Sequence, residues 1–329
     1  MHDLASQFGF VSVIIPCYNK EQYIRDTLDS VCCQSYQKYE IIVVDDCSTD
    51  DTGLILEEYS RSFKCIRFFL NERNRGANYC RNIGVEKAKG EYIIFLDADD
   101  ILTPFCLERR MDTMEAFPDL DFSVFSMGVF RHKMGDMTGK WIPSSKRPLE
   151  DFLSHRLPWG ICQPIWKRSF FNQIGGFDES FLRRQDVDLH TRALMYPFVQ
   201  FRQVPGDVDC YYRIDEDRLN YKIEEFVRRS VYSSLQYCHK FFLKAKEMRL
   251  DGRIIGTVYK TYVWLINNYK NRTIGEKDFG IYESELFLAL DGFSVSPLKR
   301  FLFRTGKFFN LHCVRIPGIN WIIFLLVKR

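Results

Sequence analysis

In the stretch YIIFLDADDILTP, residues 92–104, an apolar run leads into three carboxylates, Asp97, Asp99 and Asp100. Like charges gathered at a strand end repel one another and lose hydration, so such a cluster needs a cation or a set of donors to compensate it. A hard divalent ion, Mg²⁺ or Mn²⁺, fits, because it takes oxygen ligands and leaves positions open for a diphosphate. The plainer reading is a solvated acidic turn, since Asp-x-Asp spacing alone is common. Asp45 and Asp46 close the run YEIIVVDD in the same way, so that two acidic strand ends would face one cleft. For Asp45, capping of the next helix is the preferred reading. Asp186 and Asp188 precede an apolar stretch, where one would act as a general base and the other as a helix cap; spacing does not choose between them.

Arg73, Arg75 and Arg81 lie near Gly76 and Gly84 in NERNRGANYCRNIG, open both to a phosphate-facing and to a surface reading. Neither GxxxxGK[ST] nor GxGxxG accompanies these strand ends, which excludes a P-loop and a dinucleotide fingerprint. The six histidines form no HExxH cluster. His190, four residues after Asp186, shares its helix face and is read as packed rather than as a ligand.

The elements that must position these groups are legible as patterns. VSVIIP (residues 11–16) and YEIIVVDD (residues 39–46) are β-branched runs without alternation, as in strands covered on both faces. Between them Tyr23, Ile24, Leu28 and Val31 recur at helical spacing, giving a βαβ unit with a right-handed crossover. CIRFFLN and EYIIFL continue the strands, with helices over CSTDDTGLILEEYSRSF and NYCRNIGVEKAKG between them. Four parallel strands therefore precede Asp97, and their carboxyl edge is where open α/β sheets bind ligands. LDFSVFSMGVF (residues 120–130) and DVDCYYRI (residues 207–214) read as further strands, with residues 131–159 loop-rich. After about residue 215 come long helices, 223–248 and 257–268, then a basic aromatic tail.

Bulk properties bound the function. The 329 residues suit one large domain with an appendage, and 46% hydrophobic with 27% charged residues excludes a disordered or collagen-like chain. The net charge of +3 by itself implies neither nucleic acid nor membrane. Its distribution is uneven: residues 294–329 hold seven Lys or Arg and no acid. Eleven scattered cysteines without a CxxC pair predict reduced thiols in a cytosol rather than a disulfide framework or zinc site. The start lacks a basic region followed by a long apolar one, so no secretory signal is expected. The longest apolar segment, Ile319 to Val327, is about half the roughly 20 residues a spanning helix needs.

Together these residues resemble the inverting glycosyltransferases of family 2, bacterial surface-polysaccharide type. The resemblance runs from about Val11 to Arg218 through VSVIIPCYN, EIIVVDDCSTD, RNRGANYCRNIGVEKAKGEYIIFLDADD, GGFDES, and RRQDVDLHTR followed by YYRI, in the family's order. It implies an α/β chain with a GT-A fold, that is, a Rossmann-like, mostly parallel central sheet with flanking helices, plus a C-terminal helical region. The implied domains are residues 1–215, with a nucleotide-sugar half at 1–110 and an acceptor half at 111–215, and residues 216–329. It implies that Pro16, Tyr18 and Asn19 line the nucleotide pocket and that Asp46 hydrogen-bonds the base. Arg75, Gly76, Arg81, Asp97 and Ala98 would follow the nucleotide, diphosphate and donor sugar. Asp99, with Asp97 beside it, would ligate Mn²⁺ or Mg²⁺, and Asp186 would be the general base. Trp159, Gly176, Phe177 and Gln185 would border the acceptor, with Trp166 a further ring for stacking. Two positions depart from the family: Gln185 stands where a Glu is usual, and Asp215 where a metal-reaching His often stands.

The implied reaction moves a sugar, from a UDP-sugar by expectation, to a hydroxyl of a glycan that is lipid-linked, in O-antigen or capsule assembly. The alternatives are a polyprenyl-phosphate glycosyltransferase, a phosphohydrolase of haloacid dehalogenase type and a non-catalytic sugar-nucleotide-binding protein. The phosphohydrolase wants its acid pair on the first strand and a Thr or Val where Ile101 stands. No nucleic-acid partner is expected. The tail, residues 294–329, interleaves basic and bulky apolar residues, which suits contact with an anionic inner membrane or packing as a last helix. The expected location is the cytoplasm, peripheral on the cytoplasmic face of that membrane.

Overall fold

A computed structural model describes residues 9–214, 223–312 and 318–328. The chain divides into two compact units. The first comprises residues 1–146, 157–180 and 185–215; the second comprises residues 147–156, 181–184 and 216–329.

The first unit is built on a nine-stranded sheet: β1 Val11–Cys17, β2 Tyr39–Asp45, β3 Ile66–Leu70, β4 Tyr92–Phe95, β5 Ile101–Leu102, β6 Phe122–Phe130, β7 Lys140–Trp141, β8 Pro164–Lys167 and β9 Phe201–Arg213. Its order is β3-β2-β1-β4-β8-β6-β9-β5, with β7 paired to β6. The helices are α1 Ile24–Cys32, α2 Thr52–Ser62, α3 Ala77–Lys87, α4 Cys106–Ala116, α6 Arg168–Gln173 and α7 Gln185–Leu194, while α5 Pro148–Leu153 belongs to the second unit.

β3, β2, β1 and β4 run parallel, as their uninterrupted apolar sequences predict. All of β1 and β4 is buried, and β2 is buried from Glu40 onward, because helices cover both faces. Register decides where the acids emerge. Cys17 pairs with Asp45, and Ile14 pairs with Phe95 on the other side, so Asp46 and Asp97 leave the sheet at one carboxyl edge. α3 lies hard against β1 at Gly84, where an added Cβ would sit 2.4 Å from Ile14 Cγ2.

Beyond β4 the sheet changes sense. β8 is antiparallel to both β4 and β6, and β9 runs parallel to β6 through two register shifts near Ser126. Sequence reading did not foresee β8, whose four residues carry a Pro at the start and are too short to show a period. Residues 131–159, read as loop, hold β7 and α5 as well. Aromatic rings fill the junction: Phe122 stacks on Trp166 at 4.4 Å, and Phe95 meets Phe177 edge-on at 4.9 Å.

The second unit is helical. It contains α8 Ile223–Glu247, α9 Asp251–Lys270, α10 Glu276–Gly292, α11 Pro297–His312 and α12 Ile319–Lys328. α9 is its centre: Phe303 of α11 packs edge-on against Tyr259 at 5.2 Å, and the Phe324 ring of α12 lies over Gly256. The long helices read from sequence are α8 and α9, with α9 starting earlier than expected. The described part of the basic aromatic tail forms the helices α11 and α12. Among the described residues no helix is long and apolar enough to cross a membrane.

Candidate active site

The loop after β1 and the loop after β2 hold one another. Asn19 adopts a left-handed conformation (φ 51°), which Asn tolerates better than most residues; its Oδ1 accepts the Thr49 amide at 2.8 Å while its own amide donates to Ser48 Oγ at 2.9 Å. Asp45 accepts from the amide of Ser48, also at a turn, and burial pushes its carboxyl above the ordinary range. The neighbouring Asp46 is buried and accepts from Asn71 Nδ2 at 2.8 Å and from the amides of Arg75 and Gly76 at 2.8 and 2.7 Å. Its oxygens therefore fix the Arg73–Gly76 loop and set Gly76 (φ 89°) at the start of α3. Arg75 is exposed, stacked 3.7 Å over the Tyr79 ring, and Tyr18 is also exposed at the mouth of this edge. Pro16, expected to line a nucleotide, is buried within β1, so it shapes the strand end from beneath; Ala98 is buried as well.

Asp97, Asp99 and Asp100 place one carboxylate oxygen each within 4.8 Å of one another. Their surroundings differ. Asp99 is buried and paired with Lys20 Nζ at 2.7 Å. Asp97 is partly exposed and paired with Arg81 Nη2 at 2.7 Å. Asp100 accepts the Arg213 amide at 2.9 Å, and Arg213 Nε donates to the Asp99 carbonyl at 2.9 Å, so β9 braces the turn from behind. Three hard oxygen donors in this span, with Asp97 at the surface and a displaceable ammonium on Asp99, fit a divalent cation.

From α3, side chains reach the segments around Phe177 and Gln185 in the same unit. Arg81, itself buried, donates through Nη1 to Gln185 Oε1 at 3.2 Å while holding Asp97. Asn82 makes a paired contact with Phe177, accepting its amide and donating to its carbonyl, both at 2.9 Å; Asn78 donates to the Asp178 carbonyl at 2.7 Å. Asp186, next to Gln185, accepts the Val187 amide at 2.9 Å. Burial pushes its carboxyl above the ordinary range; the positive Arg81 works against this and the negative Asp97 adds to it. Asp186 and Asp188 differ in their surroundings. Asp188 is fully buried and bonded to Arg192 at 2.7 Å, and Arg192 ties down the Gly176 carbonyl at 2.6 Å, so Asp188 is a brace.

Several expected acceptor contacts are corrected by burial. Trp159 and Trp166 are wholly enclosed, each within about 6 Å of the His190 ring, and present no face to a sugar. His190 is packed with them, its basicity lowered to about 3 by burial. Gly176 and Phe177 are buried too: Phe177 lies between Phe95 and the Arg81 guanidinium, and an added Cβ on Gly176 would come 2.9 Å from Asn82 Oδ1. They support the pocket wall, and of the predicted acceptor set only Gln185 reaches the acidic edge. Asp215 lies outside the described residues. Sequence reading missed Lys20, Asn78, Asn82 and Arg213. Asn78 and Asn82 left a trace, an amide pair four residues apart on the buried side of a helix.

A mixed sheet whose parallel half ends in an acidic edge, facing a helix that starts in acid, defines a GT-A-like fold. The sequence profile of glycosyl transferase family 2 matches residues 12–174, and the chain belongs to that family. TuaG of Bacillus subtilis (strain 168), a glycosyltransferase provisionally assigned to teichuronic acid biosynthesis, is 45% identical over 104 residues, 32% of this chain and 41% of its own. TarS of Staphylococcus aureus (strain Mu50), a poly(ribitol-phosphate) beta-N-acetylglucosaminyltransferase, is 35% identical over 136 residues, 41% of this chain and 22% of its own. The chain thus spans less than half the length of either protein. The structure of S. aureus TarS 1–349 with UDP-GlcNAc superposes with a TM-score of 0.64 at 18% identity, over 97% of this chain and 90% of that one. A mannosyltransferase from Pyrobaculum calidifontis with GDP-Man and Mn²⁺ gives 0.53 at 19% identity, over 97% and 85%. These likenesses establish the fold.

Proposed function

We propose that the chain is an inverting glycosyltransferase that moves a sugar from a UDP-sugar to a glycan hydroxyl in surface-polysaccharide assembly. One observation carries the reading: Arg81 spans Asp97 at 2.7 Å and Gln185 at 3.2 Å, so the acid cluster and Asp186 line the same cleft. Bound at Asp99 and Asp97, Mn²⁺ or Mg²⁺ would supply the positive charge that a departing diphosphate needs. Asp186, with its raised proton affinity, takes the proton of the acceptor hydroxyl as that oxygen attacks the anomeric carbon. One such carboxylate suffices, because inversion requires no covalent intermediate. Gln185 offers its amide to the acceptor, and Arg81 holds both Gln185 and Asp97 in register. Tyr18 and Arg75, exposed at the edge, are placed to meet the nucleotide. Support for the donor comes from TarS, solved with UDP and with UDP-GlcNAc. Support for a surface polymer comes from TuaG and TarS, which are named for teichuronic acid and poly(ribitol-phosphate). A lipid-linked acceptor, action on the cytoplasmic face of the inner membrane and peripheral contact through residues 294–329 complete the reading.

Calorimetric titration of UDP, with and without Mn²⁺ and with GDP and dTDP as controls, tests it. Metal-dependent UDP binding that disappears in Asp99→Ala is the expected result. Well-folded protein that binds no nucleoside diphosphate with either ion rules out the donor site.

A further inference from the structure

The helical unit carries a surface that the sugar-transfer chemistry does not use. α12 lies antiparallel along α9: Asn320 near its start accepts the Tyr259 hydroxyl at 3.1 Å, and the Lys328 backbone at its end crowds Gly252. This contact buries Ile323, Phe324 and Val327 and leaves Trp321, Ile322 and Leu326 exposed. α11 similarly exposes Leu298, Phe301 and Phe308, which recur on one helix face. Trp321 and Phe301 are each about two-thirds exposed, 65% and 64%, in a chain segment whose only charges are basic.

At the end of α12 opens a cavity of about 460 Å³. Its walls carry Arg147, Arg249, Arg253 and Lys328 against two acids, Glu150 and Asp251. The lining thus sets four basic side chains against two acids, and Arg147 and Arg253 share Glu150. Guanidinium groups converging on a polar hollow match the oxygens of a phosphate, which they bind through paired hydrogen bonds. An apolar ridge on the helix that ends at a basic hollow roomy enough for a headgroup is the chemistry of a lipid headgroup and the first carbons of its chains. Charge weighs against a second copy of the same face, since residues 294–329 carry Lys and Arg and no acid to meet them.

We propose that the helical unit docks on an anionic phospholipid surface. The Trp321–Ile322–Leu326 ridge enters the headgroup boundary in the plane of the membrane, and the Arg147–Arg249–Arg253–Lys328 pocket holds a headgroup phosphate. This rests on the membrane contact included in the proposed function and names the residues that make it.

The test is co-sedimentation of the full chain with vesicles of phosphatidylcholine alone and with about one-third phosphatidylglycerol. The wild type is expected to partition at least tenfold more to the anionic vesicles, with roughly fivefold contributed per basic residue at the surface. Arg249→Glu with Lys328→Glu is expected to lower this at least tenfold, and Trp321→Glu to lower it comparably. Equal binding to both vesicles overturns the proposal, as does a wild-type partition retained by the pocket variant while Lys299→Glu with Arg304→Glu abolishes it. A lipid-free dimer in sedimentation velocity that Trp321→Glu dissolves also overturns it, in favour of a second copy. UDP titration of the same variants separates the two readings: vesicle binding that fails while UDP still binds sinks only the membrane site, and absent UDP binding sinks only the donor site.

Discussion

Two acid pairs end β2 and β4, the parallel strands on either side of β1, at one sheet edge, and they are held in opposite ways. Asp45 and Asp46 after β2 are satisfied by uncharged donors that stay with them: the Ser48 amide for one, Asn71 and two loop amides for the other. Asp97 and Asp99 after β4 are satisfied by long cationic side chains, Arg81 and Lys20. A carboxylate embedded in backbone amides is part of the scaffold, because removing it orphans donors. A carboxylate compensated by an ammonium on a flexible stem can exchange that partner for a metal ion at small structural cost. Position on the sheet edge therefore does not separate the two pairs; the kind of counter-charge does.

The largest effect that sharpens this contrast is on turnover. Asp99→Ala is expected to lower kcat by about 10²–10³ or more while the melting free energy stays within about 1 kcal/mol of wild type, since lost pairing and relieved repulsion offset each other. Kinetics and denaturant melts on the same preparation check both halves. Asp46→Ala should do the reverse in character, costing about 2–4 kcal/mol of stability as three donors lose their acceptor, with donor affinity falling only through the loosened loop. An Asp99→Ala protein that melts early, beside an Asp46→Ala protein that does not, breaks the comparison. The smallest effect lies in the pH profile. Asp186 must be ionised to accept a proton, and its affinity for protons is raised by burial, so kcat/KM should fall on the acid side with a midpoint above the ordinary 3.8 of Asp. Below that midpoint the rate drops about tenfold per pH unit. A profile flat down to the ordinary value contradicts the assignment.

The parallel half of the fold was legible because β-branched runs without alternation describe strands covered on both faces, and the acids at their ends stood out against those runs. β8 was not, because four residues show no period, and its antiparallel insertion between β4 and β6 is a property of the whole sheet. α10 escaped because its apolar residues are spread around the helix rather than along one stripe. In the site, Asp97, Asp99, Arg81 and Asp186 were readable as residue types with chemistry. Lys20 was not: a lysine after a strand end reads as a surface residue, and only the folded turn brings it to Asp99. Trp159 misled for the opposite reason, since an aromatic ring beside glycine looks available until Phe122, Phe201 and His190 close over it.

α3 carries Asn78, Arg81 and Asn82 within five residues, roughly 6 Å of helix axis, and through them touches Asp97, Gln185 and the Gly176–Phe177 turn. The helix is thereby a gauge between the acidic edge and the segment that carries Gln185, its graduations set by the helical pitch. Inserting one residue ahead of Asn78 would turn all three side chains by about 100° and advance them about 1.5 Å together. An insertion or deletion within this turn would therefore break contacts on both sides at once, so the spacing between the acidic edge and Gln185 is written in three polar residues of one helix.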